Sequence, residues 1–180
     1  MKRFTLLLIA LGFLQIPFSQ AARKIVLDAR IDEAVEEFYA LTSAGRKLAA
    51  KSAGMLVFPK VGKAGLGIGG EYGEGALLID GKIVQYYNTA SGSIGFQAGV
   101  QTRRQVILFL EKSVLNTFRV SNGWEAGVDG SVAIATLGAG GEIDTKTLNQ
   151  PVVAFIFGNK GLMYNLSLEG SKFSKIEKKK

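Results

Sequence analysis

The stretch Gly62–Gly99, GKAGLGIGGEYGEGALLIDGKIVQYYNTASGSIGFQAG, decides the fold because it places glycine repeatedly inside apolar, strand-like sequence. Eleven of the 23 glycines of the chain fall within it. From Gly65 onward the pattern has a period of two, which is typical of a β-strand. Asp80-Gly81 lies between two apolar runs, and this dipeptide is the strongest short signal for a hairpin. The stretch therefore predicts strands joined by a tight turn.

Glycine-rich segments also bind nucleotides, but the spacing here excludes the known fingerprints. A dinucleotide fingerprint that began at Gly67 would need glycine where Tyr72 stands. A P-loop lysine must be followed by serine or threonine, yet Gly62-Lys63 is followed by alanine and Gly81-Lys82 by isoleucine. The glycines therefore serve the backbone of a sheet and not a phosphate loop.

Glycines 65, 67 and 69 share one face of the predicted strand, which leaves that face nearly bare. Glycine permits sharp bends and close backbone approach. A bare face allows the sheet to curl tightly, or allows another element or an acyl chain to lie flat against it.

The sequence on either side of this stretch predicts two helices before it and further short elements after it. Leu27–Thr42 has apolar residues at helical spacing and an acidic polar face. Ser43–Ser52 is a second helix, with Ser43 as its N-cap and Gly54 as its stop. Met55–Phe58 is a strand ended by Pro59, and further strands are expected at Ser93–Gln101, Gln105–Leu110, Ala126–Leu137, Val152–Phe157, Gly161–Leu168 and Ser171–Ile176, with a helix at Glu111–Val120 and a turn at Asn159-Lys160-Gly161.

Together these elements predict one α+β domain over residues 22–180. Consecutive short strands with tight turns favour antiparallel pairing. The expected architecture is a strongly curved antiparallel sheet, capable of barrel-like closure, with two N-terminal helices and one short inserted helix.

The N-terminus has the organisation of a secretory signal peptide. Lys2 and Arg3 precede the mostly apolar run Phe4–Phe18, and small residues at Ser19 and Ala21 suit cleavage after Ala21. The run is shorter than the roughly 20 residues of a spanning helix. We therefore expect residues 1–21 to be removed and the product to be periplasmic or secreted.

Charge and composition favour binding over catalysis. The chain has 22 basic and 15 acidic residues, and it contains neither cysteine nor histidine. Thiol nucleophiles, imidazole triads and cysteine or histidine metal sites are therefore excluded. An exported basic protein is attracted to anionic surfaces, whereas the aromatic and basic interleaving that stacks bases is not seen. We expect no catalytic residue, no metal, no cofactor and no nucleic-acid partner.

Five basic residues are the candidates for contacts with a phosphate-bearing headgroup. Arg103 and Arg104 are adjacent at an expected strand connection, and two arginines in a loop suit a phosphate. Charged loop ends are equally common without a function, so solvated surface charge is the alternative. The candidate lipid headgroup-binding residues are Lys60, Lys63, Arg103, Arg104 and Lys112.

The acidic residues allow a second kind of site, which would bind a cation or catalyse hydrolysis. Glu71 and Glu74 are three residues apart, so on one strand they should face opposite sides. The acidic residues near later glycines could hold a hard cation or act in hydrolysis. These are Glu125, Asp129, Glu142 and Asp144.

Four blocks of sequence resemble the SYLF-domain family, over about Ala29–Ile176. They are AGMLVFPKVGKAGLGIGGEYGEGALL, YYNTASGSIGFQAGVQ, NGWEAGVDGSVAIATLGAGG and PVVAFIFGNKGLMYNLSLEGSKFSKI. The resemblance implies non-enzymatic binding of anionic phospholipid, and some eukaryotic members also bind actin. Family members have been associated with membrane binding through an N-terminal amphipathic helix, but the corresponding helix Leu27–Thr42 is acidic here.

The sequence thus predicts a bacterial exported member of that family that binds anionic phospholipid at the envelope. Actin is not expected as a partner in that setting. The alternative is a structural or stress protein of the envelope that binds a protein partner. The lysine-rich C-terminus, SKFSKIEKKK, is expected to be a short solvated tail or a further contact with an anionic surface.

Overall fold

A computed structural model describes residues 18–137, 149–160 and 167–178 of the chain. Three helices and six strands are found there. In chain order they are α1 (Phe18–Leu41), α2 (Ser43–Ala49), β1 (Gly54–Ile79), β2 (Lys82–Phe109), α3 (Lys112–Val120), β3 (Trp124–Glu125), β4 (Ala133–Thr136), β5 (Val152–Lys160) and β6 (Lys172–Ile176).

The six strands form one sheet in which β2 is the central strand. The order is β3-β6-β2-β5-β4, and β1 pairs with β2 along nearly its whole length. β6 pairs with residues 86–90 of β2, and β5 pairs with residues 102–109. All pairs are antiparallel except β4 with β5, which is parallel. The α+β class and the strongly curved sheet are therefore confirmed, with one parallel pair added.

The β1–β2 hairpin is joined by the predicted turn. Asp80 and Gly81 have φ values of 49° and 73°, and Ile79 pairs directly with Lys82. Both central residues of a type I′ turn need this left-handed backbone, which explains why Asp-Gly stands there.

The hairpin is bent back on itself, and glycine makes the bend possible. A straight 26-residue strand would extend roughly 85 Å, but three register shifts interrupt the pairing. A Cβ on Gly65 would lie 2.6 Å from Gly69 Cα, and one on Gly73 would lie 2.8 Å from the Lys60 carbonyl oxygen. A Cβ on Gly75 would collide with the backbone of Val57. The two halves of β1 therefore lie against each other, backbone to backbone, and the curl has an inner and an outer face.

Both faces of the sheet are covered where its strands are longest. On the outer face, Ile31, Ala34 and Phe38 of α1 pack against Val57 and Val106. Inside the curl, α3 contributes Leu115 and Phe118 to a core with further large side chains. These include Leu56, Phe58, Leu77, Tyr87, Ile107, Phe109, Trp124 and Phe173. Burial on both sides explains the uninterrupted apolar runs, because a one-sided strand would alternate.

Two predicted strand boundaries in the first half of the chain are wrong. The strand at Met55 does not stop at Pro59 but continues to Ile79. Pro59 lies in a bulge between the pairs of Phe58 and Val61, where its missing N–H breaks no ladder bond. The strands predicted at 93–101 and 105–110 are one strand, β2, so Arg103 and Arg104 are not in a connection.

Predictions elsewhere are confirmed in type but shifted at their ends. α1 begins at Phe18, before the predicted Leu27, and α2 is capped by Thr42, whose hydroxyl oxygen accepts a hydrogen bond from Gly45 N at 3.1 Å. The inserted helix α3 and the strands β5 and β6 occur where they were expected. The predicted strand 126–137 is reduced to β4, and residues 159–160 extend β5 where a turn was expected. Residues 1–17 of the predicted signal peptide (1–21) and residues 161–166 of the predicted strand Gly161–Leu168 lie outside the described residues.

Candidate functional site

The two adjacent arginines are separated by the sheet. Consecutive side chains of a strand point to opposite faces. Arg103 therefore enters the curl, where its side chain is 3% exposed. Arg104 lies on the outer face beside α1. The predicted pair does not form one phosphate site, because β2 is continuous at this position.

Inside the curl, Arg103 and Lys63 share one carboxylate. Arg103 Nη2 lies 2.7 Å from Glu71 Oε2, and its Nη1 donates to Glu71 Oε1 at 3.2 Å. Lys63 Nζ lies 3.5 Å from the same Oε1. All three side chains are at most 10% exposed. Lys63 and Arg103 are therefore not free to meet a headgroup at the surface.

On the outer face, Arg104 fixes α1 to the sheet. Its guanidinium reaches Glu33 at 2.6 Å and Glu37 at 2.5 Å, one helical turn apart. The hydrogen bond from Arg104, and then its charge, lower the pKa of Glu33. Two glutamates on the acidic face of α1 thus have a partner within the fold, namely Arg104.

A groove of about 530 Å³ runs between α1 and the sheet beside this contact. Arg30, Lys60 and Lys160 line it, and all three side chains are exposed. None of them forms a salt bridge with another described residue. We call these three residues the basic groove. Glu33 and Glu37 exceed the charge of Arg104 by one, so the three cations still leave the groove with an excess of positive charge.

Only Lys60 of the sequence-predicted residues stands in the basic groove with a free charge. Arg104 lines the groove but is paired, and Lys112 lies at the start of α3, outside it. Arg30 and Lys160 were missed. Arg30 is the lone base on the acidic part of α1, and Thr102 pairs with Lys160 across β2 and β5. The register that brings these residues together depends on tertiary pairing and leaves no local signal.

Next to the groove, the outer face of the bend carries exposed apolar side chains. Ile68 is 75% exposed, Val100 72% and Tyr72 52%. A second depression of about 290 Å³ is lined by Arg30, Lys60 and Tyr72, so that Tyr72 lies beside the basic groove. Ile68 and Val100 line neither depression and lie further along the same hairpin. We call Ile68, Tyr72 and Val100 the apolar bend. Exposed apolar side chains grouped beside a charged rim are characteristic of interaction surfaces.

The carboxylates do not assemble a second site in the described part of the chain. Glu71 faces into the curl and Glu74 outward, as their spacing predicted, and Glu74 binds Lys178 at 2.7 Å. Burial alone would raise the pKa of Glu74, but the hydrogen bond and charge of Lys178 outweigh it and lower that pKa. Asp129 accepts a hydrogen bond from the Glu125 backbone at 2.7 Å, as turn residues do.

Glu142 and Asp144 lie outside the described residues. Among those described, no group of three acidic residues could hold a metal ion. Within the same ranges, no helix combines the length and the hydropathy needed to cross a bilayer. The start of the lysine-rich C-terminus is not a free tail, because Lys172 and Lys175 belong to β6.

The family model of Ysc84, described as "Las17-binding protein actin regulator", matches residues 90–179. This match covers half of the 180 residues. The chain therefore belongs to the Ysc84 (SYLF-domain) family, which confirms the resemblance seen in the sequence. The search of curated proteins finds no match.

Proposed function

We propose that the protein is a non-enzymatic binder of anionic phospholipid, and that the basic groove and the apolar bend together form its membrane-facing surface. The observation that carries the proposal is a groove lined by three exposed cations that form no salt bridge with a described residue, together with the exposed ring of Tyr72 in the adjoining depression. Cations near an anionic membrane contribute about 1 kcal/mol each. Apolar side chains add binding energy by leaving water at the headgroup boundary.

The fold favours this surface over the one expected from the sequence. Lys63 and Arg103 already neutralise Glu71, and separating them from it would leave a buried carboxylate without a partner. Arg30, Lys60 and Lys160 need no such rearrangement, because they are exposed and form no salt bridge with another described residue. A headgroup phosphate can therefore approach them without a change of fold.

Flotation with vesicles tests the proposal. The wild-type protein should float with vesicles of phosphatidylcholine and phosphatidylglycerol and not with phosphatidylcholine alone. The double variant Lys60→Glu/Lys160→Glu should bind at least about 30-fold more weakly, because two favourable contributions of about 1 kcal/mol are lost and two repulsive charges are added. Raising the salt concentration should weaken vesicle binding by the wild-type protein. The difference in affinity between the wild type and the double variant should therefore become small.

A matched variant separates a defined site from net charge. Lys82→Glu/Lys112→Glu changes the charge of the protein by the same amount at two exposed residues outside the groove. It should retain most of the wild-type affinity. Equal losses in both variants would contradict a localised surface, and lack of binding to any anionic vesicle would overturn the function.

A protein partner is the second candidate, since the family description names a Las17-binding protein. The same exposed surface would serve it. A complex from envelope extract that forms without lipid, is lost in Lys60→Glu/Lys160→Glu, and is unaffected by added anionic vesicles would favour this alternative. Actin is not proposed, because export from a bacterial cell would separate the protein from it.

Export is part of the proposal and rests on the N-terminal sequence alone. Cleavage after Ala21 would leave Ala22 as the first residue, so that α1 begins about one turn later than Phe18. Mass spectrometry of the protein from the envelope fraction checks this. An intact Met1–Ala21 segment on all copies would contradict it.

A further inference from the structure

The interior of the curl is divided into an apolar half and a polar half. Toward α3 it holds aromatic rings, and the ring centroids of Tyr87, Phe109 and Trp124 lie 4.8–5.8 Å from that of Phe118. Toward the bend it holds the cluster of Lys63, Glu71 and Arg103. Gln105 lies between the two halves, one step along the inner face of β2 from Arg103.

Two side chains of the polar half have hydrogen-bonding atoms that the surrounding protein does not satisfy. Gln105 is completely buried, and neither its amide nitrogen nor its amide oxygen has a partner among the described residues. Arg103 Nε is likewise buried without a partner in the described part of the chain. Such atoms destabilise the folded protein when they remain unpaired, because they lose hydrogen bonds to water on folding and gain none in return. Tyr87 Oη and Trp124 Nε1 on the α3 side are also buried without a partner among the described residues, but only in the polar half do such atoms lie on adjacent inward positions beside a charged cluster.

The charge of the cluster identifies the kind of ligand. Lys63 and Arg103 carry two positive charges, and Glu71 supplies one negative charge. A buried excess of one positive charge is unfavourable unless an anion joins it. The free donors, Arg103 Nε–H and the Gln105 amide, would donate to an anionic oxygen, while the Gln105 carbonyl oxygen needs a hydroxyl that donates to it.

We propose that the interior of the curl binds a small oxyanion that carries a hydroxyl group, of the hydrogen phosphate or bicarbonate class. Its charged oxygen accepts from Arg103 Nε and Gln105 Nε2, and its hydroxyl donates to Gln105 Oε1. Aromatic rings in mutual contact occupy the α3 side of the interior, so we take the ligand to be the free anion and not a lipid headgroup. Arg103 also borders the basic groove, but Lys63, Glu71 and Gln105 do not line it, and none of its three exposed cations belongs to the interior site.

Thermal unfolding in matched salts tests the site. Phosphate or bicarbonate should raise the Tm by about 3–5 °C for each tenfold increase above the Kd, as expected for a ligand of the native state. Nitrate has the charge and the oxygens of bicarbonate but no hydroxyl, and it should not reproduce the effect. Sulfate controls for general stabilisation by salt exclusion. Titration of ³¹P-phosphate or ¹³C-bicarbonate by NMR gives a direct readout of binding.

Gln105→Leu is the decisive variant. The substitution replaces the unsatisfied amide with an apolar group of similar volume. The Tm of the variant without added anion should therefore equal or exceed that of the wild type. Its Tm should no longer rise with phosphate or bicarbonate. Gln105→Met serves the same purpose if the leucine packs poorly. Lys60→Glu/Lys160→Glu should keep the full response, which separates this site from lipid binding at the surface.

The opposite results overturn the proposal. Equal effects of nitrate, sulfate and bicarbonate would assign the Tm changes to bulk salt. An unchanged response in Gln105→Leu would place any bound anion elsewhere. Neither outcome would affect the proposed lipid surface, whose test uses vesicles and different residues.

Discussion

Single glycines of the β1–β2 hairpin differ widely in how closely the surrounding protein packs against them, although the sequence presents them as one repetitive block. Gly75→Ala should destabilise the protein by about 3 kcal/mol or more, because the new Cβ would collide with the Val57 backbone and lie 2.7 Å from Phe58 Cδ1. Gly92→Ala should change stability by no more than about 0.5 kcal/mol, because nothing lies within 4 Å of its Cβ position. Urea unfolding of the two variants measures the difference. Similar losses in both would mean that β1 is not folded back on itself.

Glu71 should be far more important for stability than Glu74, three residues away. Glu71→Gln removes the shared partner of two buried cations, and breaking buried pairs typically costs about 3–5 kcal/mol. Glu74→Gln breaks a partly exposed pair with Lys178, for which about 0–1 kcal/mol is expected. Chemical denaturation at neutral pH compares them. A small effect of Glu71→Gln would show that the cluster is solvated and would remove the charge argument for the interior anion.

The stabilisation that the contact between β2 and α1 gives should depend on pH. Because the pKa of Glu33 is lowered in the folded protein, its pairing with Arg104 stabilises above the ordinary glutamate pKa and is lost as the pH falls through the lowered value. Arg104→Gln should therefore have a lower urea midpoint than the wild type at pH 7, and the difference should shrink below about pH 4. A difference that persists at low pH would assign the effect of Arg104 to packing.

Lys47→Gln is the control for this experiment. Lys47 is exposed on α2 and forms no salt bridge with any described residue. Its urea midpoint should follow that of the wild type at both pH values. A pH-dependent difference here would indicate general charge effects and not the contact with α1.

The same elements show how far local sequence determines this structure. The hairpin at Asp80-Gly81, the helix α3 and the strand β5 were predicted because each has its own turn, spacing or apolar run. The continuity of β2 through Arg103-Arg104 was not, because adjacent charges look like a loop when neither partner is known. Glu71 inside the curl and the glutamates of α1 supply those partners. Both are far away in sequence, so only the assembled sheet reveals them.

The surface that we propose is of the kind expected from the sequence, but most of its residues are different. The basic charge and the resemblance to the family suggested an anionic partner. Lys60, one of the candidate residues, is exposed in the basic groove. Lys160 comes to the basic groove only through the pairing of β5 with β2, and Arg30 only through the docking of α1. These are long-range pairings that a single sequence does not encode locally.

At the scale of the whole molecule, the two parts of the proposed membrane surface should respond differently to salt. At low salt Lys60→Glu/Lys160→Glu should lose most vesicle binding. At about 1 M salt the Debye length is about 3 Å, so the electrostatic attraction of the wild type is screened and the two proteins should bind equally weakly. Ile68→Ser/Val100→Ser should bind more weakly than the wild type at every salt concentration, because apolar burial is not screened.

Equally exposed valines elsewhere make this comparison specific to the apolar bend. Val120 is 78% exposed and Val128 74%, and neither lies on the β1–β2 hairpin. Val120→Ser/Val128→Ser should therefore bind vesicles like the wild type throughout the salt series. If it loses as much binding as Ile68→Ser/Val100→Ser, the bend has no special role. If neither double serine variant differs from the wild type, the attachment is purely electrostatic and the basic groove alone forms the surface.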